Sequence, residues 1–229
     1  SKIKYLLSKS WPLILSGLTI SIYMKIDQIM LGQMMGNHAV GIYTSAVRLA
    51  EFWYFIPAVM VSSLTPAILE ARKIDQKLYY YRLQQLFNIL AVMAYALAIP
   101  TTFISNWIIV ALYGAEYSQA GLILAIYIWA AVFIFLGNVR GIWVVAEDLM
   151  KFSMVTSIIG LVINVALNFY LIPGYGPVGA AIATVISQML ISVGSSFFYS
   201  KTIFIGKMQM KALLLVGLLN RRRDGSLVK

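Results

Sequence analysis

Six long apolar stretches dominate this chain of 229 residues. A helix needs about 20 mostly apolar residues to cross the hydrocarbon core of a bilayer. The predicted spans are residues 11–32, 41–67, 87–106, 119–138, 152–172 and 178–200. A weaker stretch, 203–219, is interrupted by Lys207 and Lys211, and we interpret it as interfacial or as a marginal seventh span. The apolar runs are too continuous for the alternation of membrane β-strands, so helices are favoured.

The composition supports the same class. Hydrophobic residues make up 61% of the chain and charged residues 11%, so a soluble globular domain of this size could not cover its surface with polar side chains. The net charge of +10 could suggest nucleic acid in a soluble protein, but the low charge density argues against that partner. The sequence therefore predicts an all-α, polytopic membrane bundle of six transmembrane helices, forming one lobe over residues 1–200.

The cations fall in every second connection. Lys or Arg occurs before the first span, between spans two and three, between spans four and five, and in a basic tail, 201–229. The other connections, 33–40, 107–118 and 173–177, contain neither. Because cytoplasmic loops are enriched in Lys and Arg, this pattern predicts an even number of spans with both termini in the cytoplasm.

Two further features concern the connections. Apolar residues recur at helical spacing in the polar segment 71–85, which predicts a short amphipathic connector helix at the cytoplasmic interface. The chain begins at Ser1, and its basic start followed by an apolar run resembles a signal peptide. No small-residue cleavage site follows, so we expect a retained first span in a trimmed chain or a fragment of a longer protein.

Four charged residues interrupt the first two spans: Lys25, Asp27, Arg48 and Glu51. Each costs roughly 2.5–3.5 kcal/mol at the bilayer centre on insertion scales, so such residues face the bundle interior, a water-filled cavity or each other. Two interpretations stay open. The residues form an interhelical ion-pair network, or they line a hydrophilic lumen in which cations meet an anionic substrate and acids tune or gate it.

Helical geometry narrows these alternatives. Arg48 and Glu51 are three residues apart and can meet on one face. Lys25 and Asp27 are two residues apart and point about 200° away from each other, so at least one needs a partner on another helix. Arg140 is interpreted either as part of the cytoplasmic mouth of the same lumen or as an ordinary interfacial anchor.

Neutral polar residues follow the same logic. Asn164 and Asn168 share a face of span five and can hydrogen-bond to a neighbouring helix or line the lumen.

Known catalytic patterns are missing from the sequence. One histidine, His38, and no cysteine give no convincing metal constellation, and no phosphate-binding or dinucleotide fingerprint occurs. We therefore expect a protein that is not an enzyme and uses no cofactor.

Three segments carry a resemblance to a known family. They are KIDQIMLGQMMGNHAVGIYTSAVRLAEFWYFIP (25–57), WIIVALYGAEYSQAG (107–121) and NVALNFYLIPGYGPVGAAIAT (164–184). In order and spacing they resemble the Wzx-type O-antigen and polysaccharide flippases, over nearly the whole chain to about residue 200. After about residue 203 the sequence departs from the family pattern.

The resemblance implies the exporter superfamily that includes the MATE antiporters and the lipid II flippases. Its members contain two related six-helix lobes, of which this chain matches the second. The implied activity is movement of an undecaprenyl-diphosphate-linked oligosaccharide across the bacterial inner membrane by alternating access between the lobes. The implied partners are this lipid-linked oligosaccharide, a first six-helix lobe or a second copy of the chain, and the polysaccharide polymerase or assembly proteins.

Residue roles follow from the resemblance and the charge of the substrate. Lys25, Arg48 and Arg140 are candidate diphosphate contacts, since Arg and Lys recognise phosphate. Asp27 and Glu51 are candidates for gating or ion coupling. Three other functions stay open: a MATE-like cation or drug antiporter, a membrane scaffold for glycan assembly, and a membrane-bound enzyme that uses the adjacent acids Glu147 and Asp148.

Overall fold

The computed structural model describes Trp11, Leu15, Gly17, Ile22 and residues 25–216. Most of the first predicted span and the last residues of the basic tail, 217–229, lie outside the described residues. Four helical stretches of the described part are long and apolar enough to cross a membrane: Asn37–Ile74, Gln76–Tyr113, Ala120–Ala146 and Met150–Phe197. No β-strand occurs among the described residues, and the predicted all-α membrane helical bundle is confirmed.

The first helices form a hairpin with a bent second arm. Helix α1 covers 25–35 of the described residues, and α2 covers Asn37–Glu51. Between them Gly36 has φ +83°, a value that glycine adopts readily because it lacks Cβ. A 3₁₀ turn, Phe52–Tyr54, joins α2 to α3, Phe55–Ile74. Pro57 has no backbone N–H to donate to the fourth residue before it, which accounts for the irregular turn at this point.

Helix α4 runs without interruption from Gln76 to Tyr113. Its first turn is capped by Asp75, whose side chain accepts a 2.9 Å hydrogen bond from the backbone N–H of Lys77. The predicted separate connector helix over 71–85 is therefore wrong. The segment contains the end of α3, the cap and the first turns of α4. Each of the two long stretches has 38 residues, about 57 Å of helix against about 30 Å of hydrocarbon, so these polar turns can project beyond the bilayer.

The second half of the chain forms two further helical stretches, each interrupted by a turn or a bend. Helices α5, Ala120–Tyr127, and α6, Ala130–Ala146, follow each other with a short irregular turn between them. Helix α7, Met150–Ser192, is bent at Gly176, which has φ +58° and ψ −139°. This non-helical conformation lies in the predicted loop 173–177 and separates the fifth and sixth predicted spans.

Short elements complete the described part. The 3₁₀ turns Gly194–Phe197 and Ser200–Thr202 lead to α8, Ile203–Leu213. Helix α8 packs against α4, where Gln84 Nε2 donates to the Met208 carbonyl at 3.1 Å and the Tyr95 hydroxyl donates to the Leu213 carbonyl at 3.0 Å. Its 11 residues are about 16 Å long, which is too short to cross the hydrocarbon core.

The core lies around α4, which packs against α3, α5, α6 and α8. Tyr79, Phe87, Leu90 and Phe135 are fully buried there. Large apolar side chains also lie on the outer surface; Phe103 is 83% exposed. Apolar residues on both sides of a helix are expected where the outer side faces lipid rather than water.

The bundle has two ends that the contacts define. Arg72 and Glu147 form an ion pair of 3.0 Å, which places the α3–α4 turn and the α6–α7 turn together at what we call the Asp75 end. The α1–α2 turn and the C-terminus of α4 lie at the opposite end, which we call the Gly114 end. The connections at the Asp75 end contain the lysines and arginines, so this is the predicted cytoplasmic side.

Candidate functional site

Asp27 is the centre of a buried polar cluster. The side chain of Asp27, on α1, is 3% exposed. Its Oδ2 accepts a hydrogen bond of 2.8 Å from the Tyr43 hydroxyl of α2 and another from the Thr184 hydroxyl. Its Oδ1 accepts one from Asn168 Nδ2, which also lies 3.2 Å from Asn164 Oδ1. Asn168 and Thr184 lie on opposite sides of the α7 bend, so one carboxylate joins α1, α2 and both parts of α7.

This arrangement meets the geometric expectation for the first pair of charges. Lys25 is exposed whereas Asp27 is buried, as two residues on nearly opposite faces of α1 should be. No Lys or Arg nitrogen of the described residues lies within 4 Å of the Asp27 carboxylate. Neutral donors hold this buried group in place, a contact set that differs from the ion-pair network that was one of the two open interpretations.

Glu51 lies in a second polar cluster next to the first. Its Oε1 is 3.4 Å from the Tyr127 hydroxyl of α5. The Tyr127 ring packs edge-on against the Tyr43 ring, with centroids 6.1 Å apart, so the two acidic groups are joined through two tyrosines. Lys25 acts electrostatically on Glu51. Arg48 forms no ion pair with Glu51 among the described residues, although their spacing allows one.

Arg48 lines a cleft instead. The side chain is exposed on α2, and a cleft of about 450 Å³ opens beside it. Asn37, Thr44, Tyr113 and Tyr117 line this cleft together with Arg48, and none of its described lining residues is acidic. Asn37 begins α2 and Tyr113 ends α4, so the cleft extends to the Gly114 end. Its volume lies within the range of ordinary ligand pockets.

Arg140 lies elsewhere in the bundle. It is 6% exposed on α6, and its Nη1 donates to the Ile191 carbonyl at 2.9 Å and to the Ser195 hydroxyl. Its guanidinium lies 5.8 Å from the centre of the Phe152 ring. No carboxylate of the described residues lies within 4 Å of it. The structure therefore does not bring Arg140 together with Lys25 and Arg48 at one anion site.

Several contributors were not identified from the sequence. Tyr43, Tyr127 and Thr184 bind the two acids, and Tyr113 and Tyr117 line the cleft. Hydroxyl and aromatic residues are common in membrane helices, so no pattern marks these five. The usable signal was the buried acid itself, because a carboxylate in an apolar span requires donors on neighbouring helices.

Comparison with known proteins adds a family context to this geometry. Residues 1–72 match the family model described as polysaccharide biosynthesis protein. The chain is 23% identical over 202 residues to the capsular polysaccharide biosynthesis protein CapF of Staphylococcus aureus, covering 88% of this chain and 51% of CapF. It is 29% identical over 177 residues to the probable flippase AglR of Haloferax volcanii, covering 75% of this chain and 37% of AglR. These matches confirm its resemblance to a polysaccharide flippase family.

The matches cover only part of each relative. The chain spans about half the length of CapF and little more than a third of AglR. No solved structure matches the chain. The match to the family model includes Asp27, Arg48 and Glu51, so these charged residues of α1 and α2 lie in the matched segment.

Proposed function

We propose that this chain is one half of a flippase that moves a lipid-diphosphate-linked oligosaccharide across a membrane. The bacterial inner membrane and an undecaprenyl carrier are the setting that the sequence resemblance favours. The family context supports flippase chemistry in general terms, and the site supports an anionic, sugar-bearing cargo. The transport mechanism proposed is alternating access between this half and a second six-helix lobe.

The cleft beside Arg48 is the observation that carries this proposal. Arg48 is a cation on a largely apolar span, with no described carboxylate within 4 Å to neutralise it. Its guanidinium can donate two parallel hydrogen bonds to a phosphate. Tyr113 and Tyr117 offer aromatic faces, and Asn37 and Thr44 offer hydrogen-bonding groups, which are the side chains expected around a saccharide bound to a phosphate group.

The charged residues then take separate roles. Lys25 and Arg48 lie at similar distances along the chain from Gly36, the turn between two antiparallel helices, so they lie at similar depth in the bundle. We assign the diphosphate contact to this pair. Asp27 fixes the packing of α1, α2 and α7. Asp27 and Glu51 are the candidate gating or coupling residues. Arg140 is left out of this contact because it packs toward the Asp75 end.

The test is complementation of a flippase-null strain, with membrane levels of every variant measured. The chain is expressed alone and with the first half of a related flippase. Arg48→Ala is compared with Arg48→Lys, and Lys73→Ala serves as the control because Lys73 is an exposed cation outside the cleft. We expect surface polysaccharide only with the first half present, with strong loss in Arg48→Ala, partial loss in Arg48→Lys and no loss in Lys73→Ala.

Other outcomes distinguish the competing functions. Full activity of Arg48→Ala at normal membrane levels would contradict the proposed anion contact. Loss of cation-driven drug efflux in Asp27→Asn, with polysaccharide export intact, would indicate a MATE-like antiporter. If polysaccharide export requires the chain but is unchanged when Lys25, Asp27, Arg48 and Glu51 are all replaced, the chain would instead be a scaffold for glycan assembly.

A further inference from the structure

A second cavity of the described residues differs from the cleft in both chemistry and position. It is a groove of about 490 Å³ between the two parts of α7, outside the polar clusters of Asp27 and Glu51. Its walls are almost entirely apolar, and the residues that form them include Phe152, Val155, Ile159, Ile163, Leu190 and Phe198. A saccharide would find few hydrogen-bonding partners there, whereas a hydrocarbon chain could make van der Waals contacts along the walls.

The groove begins at the Asp75 end. Phe152 lies two residues into α7, and its ring stacks on that of Tyr199 with centroids 5.8 Å apart. From Phe152 to Ile163 the helix rises about 16 Å, which is about half of the roughly 30 Å hydrocarbon thickness. The groove therefore has the length of one leaflet, and it lies in the leaflet nearest the Asp75 end.

Exposed lysines lie at this end of the groove, next to the turn that contains the acids Glu147 and Asp148. Lys151 directly precedes Phe152, Lys201 lies just beyond Tyr199, and both are exposed. The buried guanidinium of Arg140 lies behind the Phe152 ring and bonds to Ser195, a groove residue, without a carboxylate of the described residues to balance it. Phe198, 87% exposed, and Tyr199 add aromatic rings at the same level, as is typical of the interface between membrane and water.

We propose that this groove is a binding site for an anionic glycerophospholipid of the predicted cytoplasmic leaflet. One acyl chain lies between the two parts of α7, and the phosphate lies near Lys151 and Lys201, in the positive field of Arg140. A polyprenyl chain is much longer than the groove, and the cleft assigned to the transported substrate extends to the opposite end of the bundle. The site is therefore for a resident lipid; its separation from the transported substrate rests on the proposed function, whereas the groove and its lysines do not.

Lipid binding is measured by native mass spectrometry of the full chain, after exchange into vesicles of phosphatidylglycerol, phosphatidylcholine or phosphatidylcholine containing a polyprenyl phosphate. We expect one phosphatidylglycerol molecule to stay bound after detergent washing, and phosphatidylcholine to be lost. The double variant Lys151→Glu, Lys201→Glu should weaken retention of phosphatidylglycerol by at least about 30-fold, since each lost basic residue contributes about 1 kcal/mol and the new carboxylates repel the phosphate. Lys73→Glu, at the same end but outside the groove, should leave retention unchanged.

The groove itself is tested by filling it. Ile159→Trp places a larger side chain in the groove, and Val162→Trp places the same side chain on an exposed position of the same helix that does not line it. Ile159→Trp should abolish retention, and Val162→Trp should not. Equal retention of phosphatidylglycerol and phosphatidylcholine, or equal effects of the two tryptophan variants, would overturn the proposal. Preferential retention of the polyprenyl phosphate would also overturn it and would assign the groove to a transported lipid.

Discussion

The Tyr43 hydroxyl donates a hydrogen bond of 2.8 Å to the carboxylate of Asp27, across the turn that joins α1 to α2. This bond has neighbours from two further helical segments, since Asn168 and Thr184 donate to the same carboxylate. In a membrane, apolar side chains gain little from packing on each other rather than on lipid, so polar contacts of this kind help to hold the helices in one arrangement.

Removing the Asp27 carboxylate should cost more than removing one of its donors. Asp27→Ala removes an acceptor shared by three donors, of which Thr184 and Asn168 keep contacts with the Ala180 carbonyl and Asn164 Oδ1. A buried unsatisfied donor costs roughly 1–3 kcal/mol. We expect Asp27→Ala to lower the free energy of unfolding by about 2 kcal/mol. Tyr43→Phe should lower it by about 0.6 kcal/mol, the average for an interhelical hydrogen bond in a membrane protein.

The measurement is reversible unfolding in mixed micelles, with Ser62→Ala as the control. The Ser62 hydroxyl is exposed and bonds only within its own helix, to the Val59 carbonyl at 2.9 Å, so its loss should have little effect. Equal destabilisation by all three variants would contradict the central position of Asp27.

The bend in α7 should require glycine at position 176 but not at position 174. Gly176 has φ +58° and ψ −139°, and an added Cβ would lie 3.2 Å from Met35 Sδ. We expect Gly176→Ala to destabilise the protein by about 1–3 kcal/mol, the usual cost of a non-glycine residue in a sparsely populated backbone region. Gly174→Ala should be neutral or slightly stabilising, because nothing lies within 4 Å of its added Cβ. Thermal unfolding in detergent compares the two, and a neutral Gly176→Ala would contradict the bend.

The ion pair between Arg72 and Glu147 should contribute little to the free energy of unfolding. The side chains are 41% and 29% exposed, and exposed pairs contribute about 0.2–1 kcal/mol in double-mutant cycles. A cycle of Arg72→Ala, Glu147→Ala and the double variant should give a coupling of about 0.5 kcal/mol that decreases in 1 M salt.

Glu147→Ala should also retain full polysaccharide export. Complete loss of export with normal folding would support a catalytic carboxylate, as in the enzyme hypothesis.

The aromatic rings of the tyrosines in the cleft should contribute more to export than their hydroxyl groups. The rings of Tyr113 and Tyr117 lie 5.7 Å apart at the Gly114 end. If a saccharide packs on them, Tyr117→Phe should retain export and Tyr117→Ala should lower it by up to about tenfold, since an aromatic contact contributes about 0.5–1.5 kcal/mol. Tyr170→Ala is the control because Tyr170 is 82% exposed and does not line the cleft. Export is measured as surface polysaccharide at matched membrane levels, and similar loss in both alanine variants would argue against stacking.

The sequence by itself determined the class of fold and the residues that needed explanation. The free energy of transferring a side chain from water to hydrocarbon depends mainly on the residue type. Apolar segments of sequence therefore predicted membrane helices without any knowledge of contacts. The same reasoning identified Lys25, Asp27, Arg48 and Glu51 as residues that cannot face lipid without cost. The connection between the fifth and sixth predicted spans, 173–177, contains the Gly176 bend.

Only the tertiary structure decided which polar groups meet. The spacing of Arg48 and Glu51 allowed an ion pair, yet Glu51 contacts Tyr127 and Arg48 lines a cleft. The basic loop position of Arg140 did not reveal its contact with Ser195, and the periodicity of 71–85 did not reveal that Asp75 caps a helix extending to Tyr113. These contacts join residues far apart in the chain, and they depend on the rotation and depth of whole helices, which side-chain packing between helices sets.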